Sequence, residues 1–243
     1  MTTHGLSAVG VTRTFLSGAG IRDVTLEVRA GTIHALVGLN GAGKTTLMKV
    51  LLGMLRPTAG DVLIDGVSLH RLPAAVWACV GHVIEHPLAY GDLTARENLL
   101  LAARLHGMSP RLAPDTVDAA IVAFALAPYA DVRVRRLSAG NRQRVGLAAA
   151  LQHHPRIVVL DEPTSTLDPA GVLLLRDALH TLQATGAAIL VSSHHLDEVA
   201  RIADHITLLN AGHIIGALDP AGTDLEQAFF ASVLVDDQER GRS

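Results

Sequence analysis

Ile33-His34-Ala35-Leu36-Val37-Gly38-Leu39-Asn40-Gly41-Ala42-Gly43-Lys44-Thr45 is the stretch whose reading decides the fold. The first five residues are a short, mostly apolar run ending at a glycine, and Leu47, Val50, Leu51 and Met54 follow at helical spacing. This reads as strand, loop, helix. Residues 38–45 fit the spacing of a glycine, four residues and Gly-Lys-Thr, and they lie where that motif acts, between a buried strand and a helix. The glycines let backbone N–H groups converge on phosphate oxygens, Lys44 reaches the outer phosphates, and the Thr45 hydroxyl is placed to bind Mg2+. The alternative is a glycine-rich turn with an incidental lysine. Alone, the loop implies bound phosphate, a property shared by kinases, GTPases and motors.

Working outward, residues 56–60 (Arg56-Pro57-Thr58-Ala59-Gly60) stop the helix as turn residues, and Val62 and Ile64 then alternate along a second strand. Downstream, Ile157-Val158-Val159-Leu160-Asp161-Glu162 sets two carboxylates at the end of a strand buried on both faces, where α/β sheets hold their ligands. Asp161 is placed to hold the magnesium shell and Glu162 to polarise an attacking water as general base; a solvated Asp-Glu pair opening a loop is the alternative. Residues 188–191 form another apolar run after a helix carrying Val172, Leu175, Leu179 and Leu182 on one face, a βαβ unit with a parallel sheet. Residues 206–209 and 214–215 flank Asn210-Ala211-Gly212 as a closing hairpin. Residues 84–152 carry helical patterns, prolines at 87, 110, 114 and 128, and little strand signal, so they read as an inserted helical lobe. Within it Thr94-Ala95-Arg96-Glu97 fits a capping box. The polar tail, residues 236–243, is expected to fray.

Composition bounds the class. The 243 residues are 49% hydrophobic but only 3% aromatic, so the core is built from Ala, Val, Leu and Ile, the usual material of α/β proteins. A formal charge of -3 and a pI near 6.5 provide no broad basic field, and nucleic acid is not an expected partner. The single cysteine, Cys79, stands in the apolar run Val76-Trp77-Ala78-Cys79-Val80 and reads as buried filler. The start of the chain has no basic segment followed by an apolar one, and no run approaches the roughly 18 apolar residues of a spanning helix, so a soluble, unexported chain is expected.

Between the two phosphate-site motifs stands Leu137-Ser138-Ala139-Gly140-Asn141-Arg142-Gln143-Arg144, and with it the chain resembles the ATPase subunits of ABC transporters over nearly its whole length. The resemblance implies a P-loop NTPase (RecA-like) α/β core with a mostly parallel central sheet, an N-terminal antiparallel β portion and an inserted helical signature subdomain. It divides the chain into a nucleotide-binding core (1–83 and 153–216), a helical subdomain (84–152) and a short C-terminal helix with its tail (217–243). It also implies ATP and Mg2+ as ligands, with Gly38, Asn40, Gly41, Gly43, Lys44, Thr45 and Thr46 around the phosphates. Asp161, Thr45 and Glu85 lie near the metal, and Glu162, His194 and Lys44 serve hydrolysis. In the family, a Leu-Ser-Gly-Gly-Gln signature at a helix N-terminus contacts ATP held by the opposite subunit. Ser138 and Gly140 keep the contacting positions, and Ala139 and Asn141 depart from the pattern. Ser138 reads equally as a simple N-cap.

Ser165-Thr166-Leu167-Asp168 resembles the D-loop that couples the two sites, and Ser192-Ser193-His194 resembles the strand end bearing the switch histidine. His195 reads as solvated. Phe15 occupies the place of the family's adenine-stacking aromatic, with a core phenylalanine as the alternative. Glu85 stands where most of the family has a loop glutamine. In this it is similar to the ATPases of bacitracin and lantibiotic export or immunity systems, as are residues 90–99 and 224–230. The resemblance implies a head-to-tail dimer, with itself or a related ATPase, working with membrane permease subunits on separate chains at the cytoplasmic face of the membrane and engaged beside Glu85. Two other readings are a non-transport ABC ATPase and a nucleotide-binding regulatory module that no longer hydrolyses ATP.

Overall fold

The computed structural model describes residues 5–87 and 89–241. Residues 1–4, which open the stretch read for a leader, and residues 242–243 of the polar tail lie outside the described residues. In chain order the elements are β1 (Gly5–Thr14), β2 (Gly20–Arg29), β3 (Ile33–Val37), α1 (Lys44–Leu51), β4 (Ala59–Ile64), β5 (Val67–Ser68), β6 (Val80–Val83), α2 (Ala95–Leu105), α3 (Ala113–Ala123), α4 (Ala139–Leu151), β7 (Ile157–Leu160), α5 (Pro169–Ala184), β8 (Ala188–Ser193), α6 (Leu196–Ala200), β9 (His205–Asn210), β10 (His213–Leu218) and α7 (Leu225–Arg240). They fall into two compact units, Met1–Leu72 with Ala188–Ser243, and Pro73–Ala187. The class is the expected α/β, with parallel strands and a separate antiparallel sheet.

In the first unit β2, β1, β4 and β5 form the antiparallel sheet in that order. Along β2 the buried Ile21, Val24, Leu26 and Val28 are separated by more exposed residues, the pattern of a sheet with one packed face, and α1 packs against β1 and β2. Strand β3 pairs in parallel with both β8 and β9, and β10 closes antiparallel on β9. Every residue of β3 and β8 is buried. Covering on both faces explains why these strands read as unbroken apolar runs rather than as alternation.

Three local expectations change in the first unit. Helix α1 stops at Leu51 rather than reaching Met54, because Gly53 at φ +68 turns the chain left-handed. The N–H groups of Gly53 and Met54 then return to the Val50 and Lys49 carbonyls at 3.0 and 2.8 Å, leaving Met54 48% exposed. Ala59 and Gly60, read as turn residues, already open β4. The tail is helical through Arg240 instead of frayed at residue 236: Asp236 and Asp237 both accept from Asn210 Nδ2, at 2.8 and 2.9 Å, and both pair with Arg240.

In the second unit β6 and β7 run parallel, from Val80 opposite Ile157 to Val83 opposite Leu160. The capping box opens α2 as expected, with the Glu97 N–H donating to Thr94 Oγ1 at 3.2 Å and the Thr94 N–H to Glu97 Oε2 at 2.8 Å. One turn on, the buried Asn98 accepts from the Tyr90 N–H at 2.7 Å and donates to the Tyr90 and Thr94 carbonyls at 3.1 and 2.9 Å, which folds the segment before α2 against the helix. Leu175, Leu179 and Leu182 of α5 are buried, whereas Val172, on the same stripe, is half-buried. Cys79, expected as core, is half-buried too. Among the described residues no helix is long and apolar enough to cross a membrane.

Candidate nucleotide site and signature surface

The phosphate loop leaves β3 at Gly38, and the approach there is too close for any side chain: a Cβ would lie 2.3 Å from the Leu209 carbonyl oxygen. Gly41 and Gly43 hold φ values of +82 and +108, so the loop turns its backbone in a way that L side chains oppose. Helix α1 then starts with no side-chain cap and no acidic residue in its first turn, an arrangement that favours an external anion at the positive end of the helix dipole. Lys44 is only 6% exposed, and its Nζ donates to the Gly38 carbonyl at 2.6 Å. A buried ammonium that donates to the loop's own carbonyls is the kind of charged donor that phosphate oxygens accept from. Asn40 is exposed, and Thr45 and Thr46 are half-buried at the start of α1.

His194 joins this loop through strand register. Val37 pairs with Ser193, so Gly38 and His194 are the residues immediately beyond the paired ends of neighbouring strands. Leu39 of the loop and His194 line one cavity of about 280 Å³. His195, read as solvated, is exposed and lies 3.9 Å from His194 between ring centroids. Phe15 keeps 39% of its surface and carries the Arg13 guanidinium 5.3 Å from its ring centroid, so it is not a core residue. The turn that bears it reaches the loop, since a Cβ on Gly43 would lie 3.3 Å from the Gly20 carbonyl oxygen.

The acidic residues belong to the second unit. The Asp161 N–H donates to the Val83 carbonyl at 2.8 Å, which continues the β6–β7 pairing one step past the strand end, and Asp161 is 7% exposed. Glu162 sits at φ +47 and Glu85, two residues beyond β6, at φ +59. Left-handed backbone at a non-glycine residue costs on the order of 1–3 kcal/mol and persists where the surroundings dictate it, often at functional sites. Both glutamates thus leave the ends of paired neighbouring strands in a backbone shape that their side chains alone would not choose. A magnesium ion keeps several waters and takes few protein ligands besides phosphate, and the Thr45 hydroxyl and the Asp161 carboxylate are each the kind of oxygen donor it accepts.

The signature forms the start of α4. Ser138 is its N-cap, accepting from the Asn141 N–H at 3.2 Å, so the departures at Ala139 and Asn141 leave the helix start intact. Gly140 lies against the D-loop, where a Cβ would meet the Thr166 carbonyl oxygen at 2.9 Å. Asp168 caps α5 by accepting from the Gly171 N–H at 2.9 Å. Its carboxyl is held below the usual range, first by the hydrogen bond from Arg144 and then by that N–H. Two residues of the signature stretch that carry no role in the motif reading gain one here. Gln143, 7% exposed, donates from Nε2 to the Pro163 carbonyl at 3.0 Å, and the Arg144 Nη2 donates to Asp168 Oδ1. Their signal in the sequence was two long polar side chains placed just before the buried run Val145-Gly146-Leu147-Ala148.

A phosphate loop after a buried parallel strand, with a histidine on the adjoining strand end, defines a P-loop nucleotide-binding α/β protein. The sequence profile described as ABC transporter matches residues 21–165. The chain is 33% identical over 211 residues to the bacitracin transport ATP-binding protein BcrA of Bacillus licheniformis, covering 86% of this chain and 68% of that protein. It is 35% identical over 215 residues to the daunorubicin resistance ATP-binding protein DrrA3 of Streptomyces coeruleorubidus, covering 88% and 68%. It is also 39% identical over 223 residues to the ribose import ATP-binding protein RbsA 2 of Burkholderia cenocepacia, covering 89% of this chain but only 44% of that protein. Among solved structures, an ATP-binding subunit of an ABC transporter superposes with a TM-score of 0.82 at 28% identity, over 94% of each chain. A dimeric ATP-binding cassette in a post-hydrolysis state with ADP and Pi shares the fold, with a TM-score of 0.81 at 24% identity, over 89% of this chain and 99% of that one. The chain belongs to the ABC transporter family as an ATP-binding domain, and that domain is an ATPase.

Proposed function

We propose that the chain couples ATP binding and hydrolysis to the export of a drug or peptide antibiotic through permease subunits on separate chains. The observation that carries the catalytic part is the register of β3 on β8, which sets the phosphate loop beside His194. In this reading Gly38, Asn40, Gly41, Gly43, Lys44 and Thr46 bind the phosphates, and Phe15 stacks on adenine. Thr45 and Asp161 would hold Mg2+, with Glu85 near it. The ion would neutralise phosphate charge as the terminal phosphoryl bond breaks. Glu162 takes a proton from the attacking water, and His194 donates to the terminal phosphate. Ser138, Gly140 and Asp168 serve the site of a second subunit in a head-to-tail dimer at the cytoplasmic face of the membrane, and nucleic acid takes no part.

Glu162→Gln tests the assignment, because the amide keeps the shape and removes the base. ATP turnover should fall by about 100- to 10,000-fold with ATP binding retained; unchanged turnover refutes the role. Export is supported by the bacitracin and daunorubicin relatives. Import is the second reading, favoured by the higher identity to the ribose protein. ATP-driven movement of a peptide antibiotic or an anthracycline, against that of ribose, in vesicles holding this chain and its permease distinguishes the two.

A further inference from the structure

The start of α4 and the segment that runs into α5 touch at three places within the second unit. Gly140 meets the Thr166 carbonyl so closely that even a methyl group would crowd it. One turn along, the buried Gln143 amide holds the Pro163 carbonyl at 3.0 Å. Next to it Arg144 reaches Asp168. The arginine side chain is 12% exposed and the aspartate side chain 60% exposed, so a sequestered cation holds a carboxylate that still faces outward. A single oxygen, Asp168 Oδ1, accepts from both the Arg144 guanidinium and the Gly171 N–H. A Cβ on Gly171 would lie 3.1 Å from Arg144 Nε, so the arginine head lies close against the first turn of α5. Two donors from two different helices thus fix one oxygen, and with it the orientation of the carboxylate.

We propose that Arg144 is a positioning residue: it locks Asp168 to the signature helix, so that Ser138 and residues 165–168 are presented to the second subunit as one rigid surface. The inference rests on the dimeric ATPase reading and adds a division of labour to it. Gly140 and Gln143 set the distance between signature and D-loop, and Arg144 sets the direction of the D-loop carboxylate. A planar guanidinium suits this better than an ammonium, because its rigid plane sets the direction of the one Nη2 donor as well as supplying the charge.

The test is a cycle of Arg144→Ala, Asp168→Ala and the double variant, with Arg144→Lys alongside, each in the assembled transporter. Steady-state ATP turnover is measured against ATP concentration, and backbone hydrogen exchange is followed over residues 163–168. Arg144→Ala should lower kcat about tenfold, reduce the Hill coefficient for ATP toward one and leave the affinity of the isolated chain for ATP unchanged. The double variant should be no worse than the poorer single one, since residues acting as a unit are not additive. Exchange over residues 163–168 should rise, and Arg144→Lys should recover less than half of the lost kcat. The proposal is overturned if Arg144→Ala keeps the wild-type kcat and Hill coefficient, or if the two single effects multiply. It is overturned equally if the whole loss follows a fall in thermal midpoint shared by Arg144→Lys. Failure of the ATPase reading looks different: the wild-type transporter would then turn over no ATP at all.

Discussion

His34 gives the chain a pH-dependent weakness in the strand that carries the phosphate loop. Its ring is 7% exposed on β3, with Nε2 2.8 Å from Thr207 Oγ1 and with the His205 ring centroid 5.8 Å away. Burial first, and the neighbouring His205 charge second, lower its pKa from 6.5 to about 4. The folded protein therefore refuses a proton that the unfolded chain accepts. Above pH 6.5 both states are neutral here and stability is full; between 6.5 and 4 the unfolded state binds more protons and stability drains away; below 4 both are charged and the loss levels off. The whole shift corresponds to about 3 kcal/mol, of which about 2 kcal/mol is gone by pH 5. His34→Gln removes the titration and keeps an amide able to meet Thr207. Urea unfolding from pH 7.5 to 4.5 should show the wild type losing about 2 kcal/mol more than the variant by pH 5. His82, His106 and His153 also have lowered pKa values, but they are present in both proteins and cancel in the difference. Parallel stability curves for wild type and variant would refute the reasoning.

Two further outcomes follow from contacts away from the nucleotide. Asn98→Ala takes the side-chain acceptor from the Tyr90 N–H, while the Tyr90 and Thr94 carbonyls keep their backbone donors Leu93 and Asn98, and should cost about 1–3 kcal/mol in urea unfolding, with faster hydrogen exchange at Tyr90; a cost under about 0.5 kcal/mol would show that water replaces the amide. On α7, Phe229→Ala removes a ring that is 3% exposed and should cost about 3–5 kcal/mol, whereas Arg240→Ala, which breaks exposed pairs with Asp236 and Asp237, should cost under about 1 kcal/mol by the same measurement.

What could be read along the chain was local. The phosphate loop needs glycines at Gly41 and Gly43 for their backbone angles, and the Thr94 to Glu97 box closes within one turn, so both are written in neighbouring residues. Strands β3, β7 and β8 announced themselves because burial on both faces leaves an unbroken apolar run. At the tail a distant group overrides local character. The acidic end of α7 looks like a fraying tail until Asn210, more than two dozen residues earlier, donates to both aspartates. Glu85 and Glu162 stand out in the sequence by their places after strands, but nothing nearby in sequence signals their positive φ.

By itself the sequence determined the kind of chemistry, because a phosphate-binding loop, its acidic partner and the signature are each defined by residue types at short spacing, and backbone geometry at that range follows from composition. Only the tertiary structure decided which of these parts meet. His194 is set next to Gly38 in register by the pairing of Val37 with Ser193, and Arg144 reaches Asp168 across the turn between a strand and a helix. Such contacts depend on strand register and on how helices pack, and a slip of one residue in register would carry His194 away from the loop. The phosphate loop is therefore a local property of the chain, and the residues set beside it are a property of the fold.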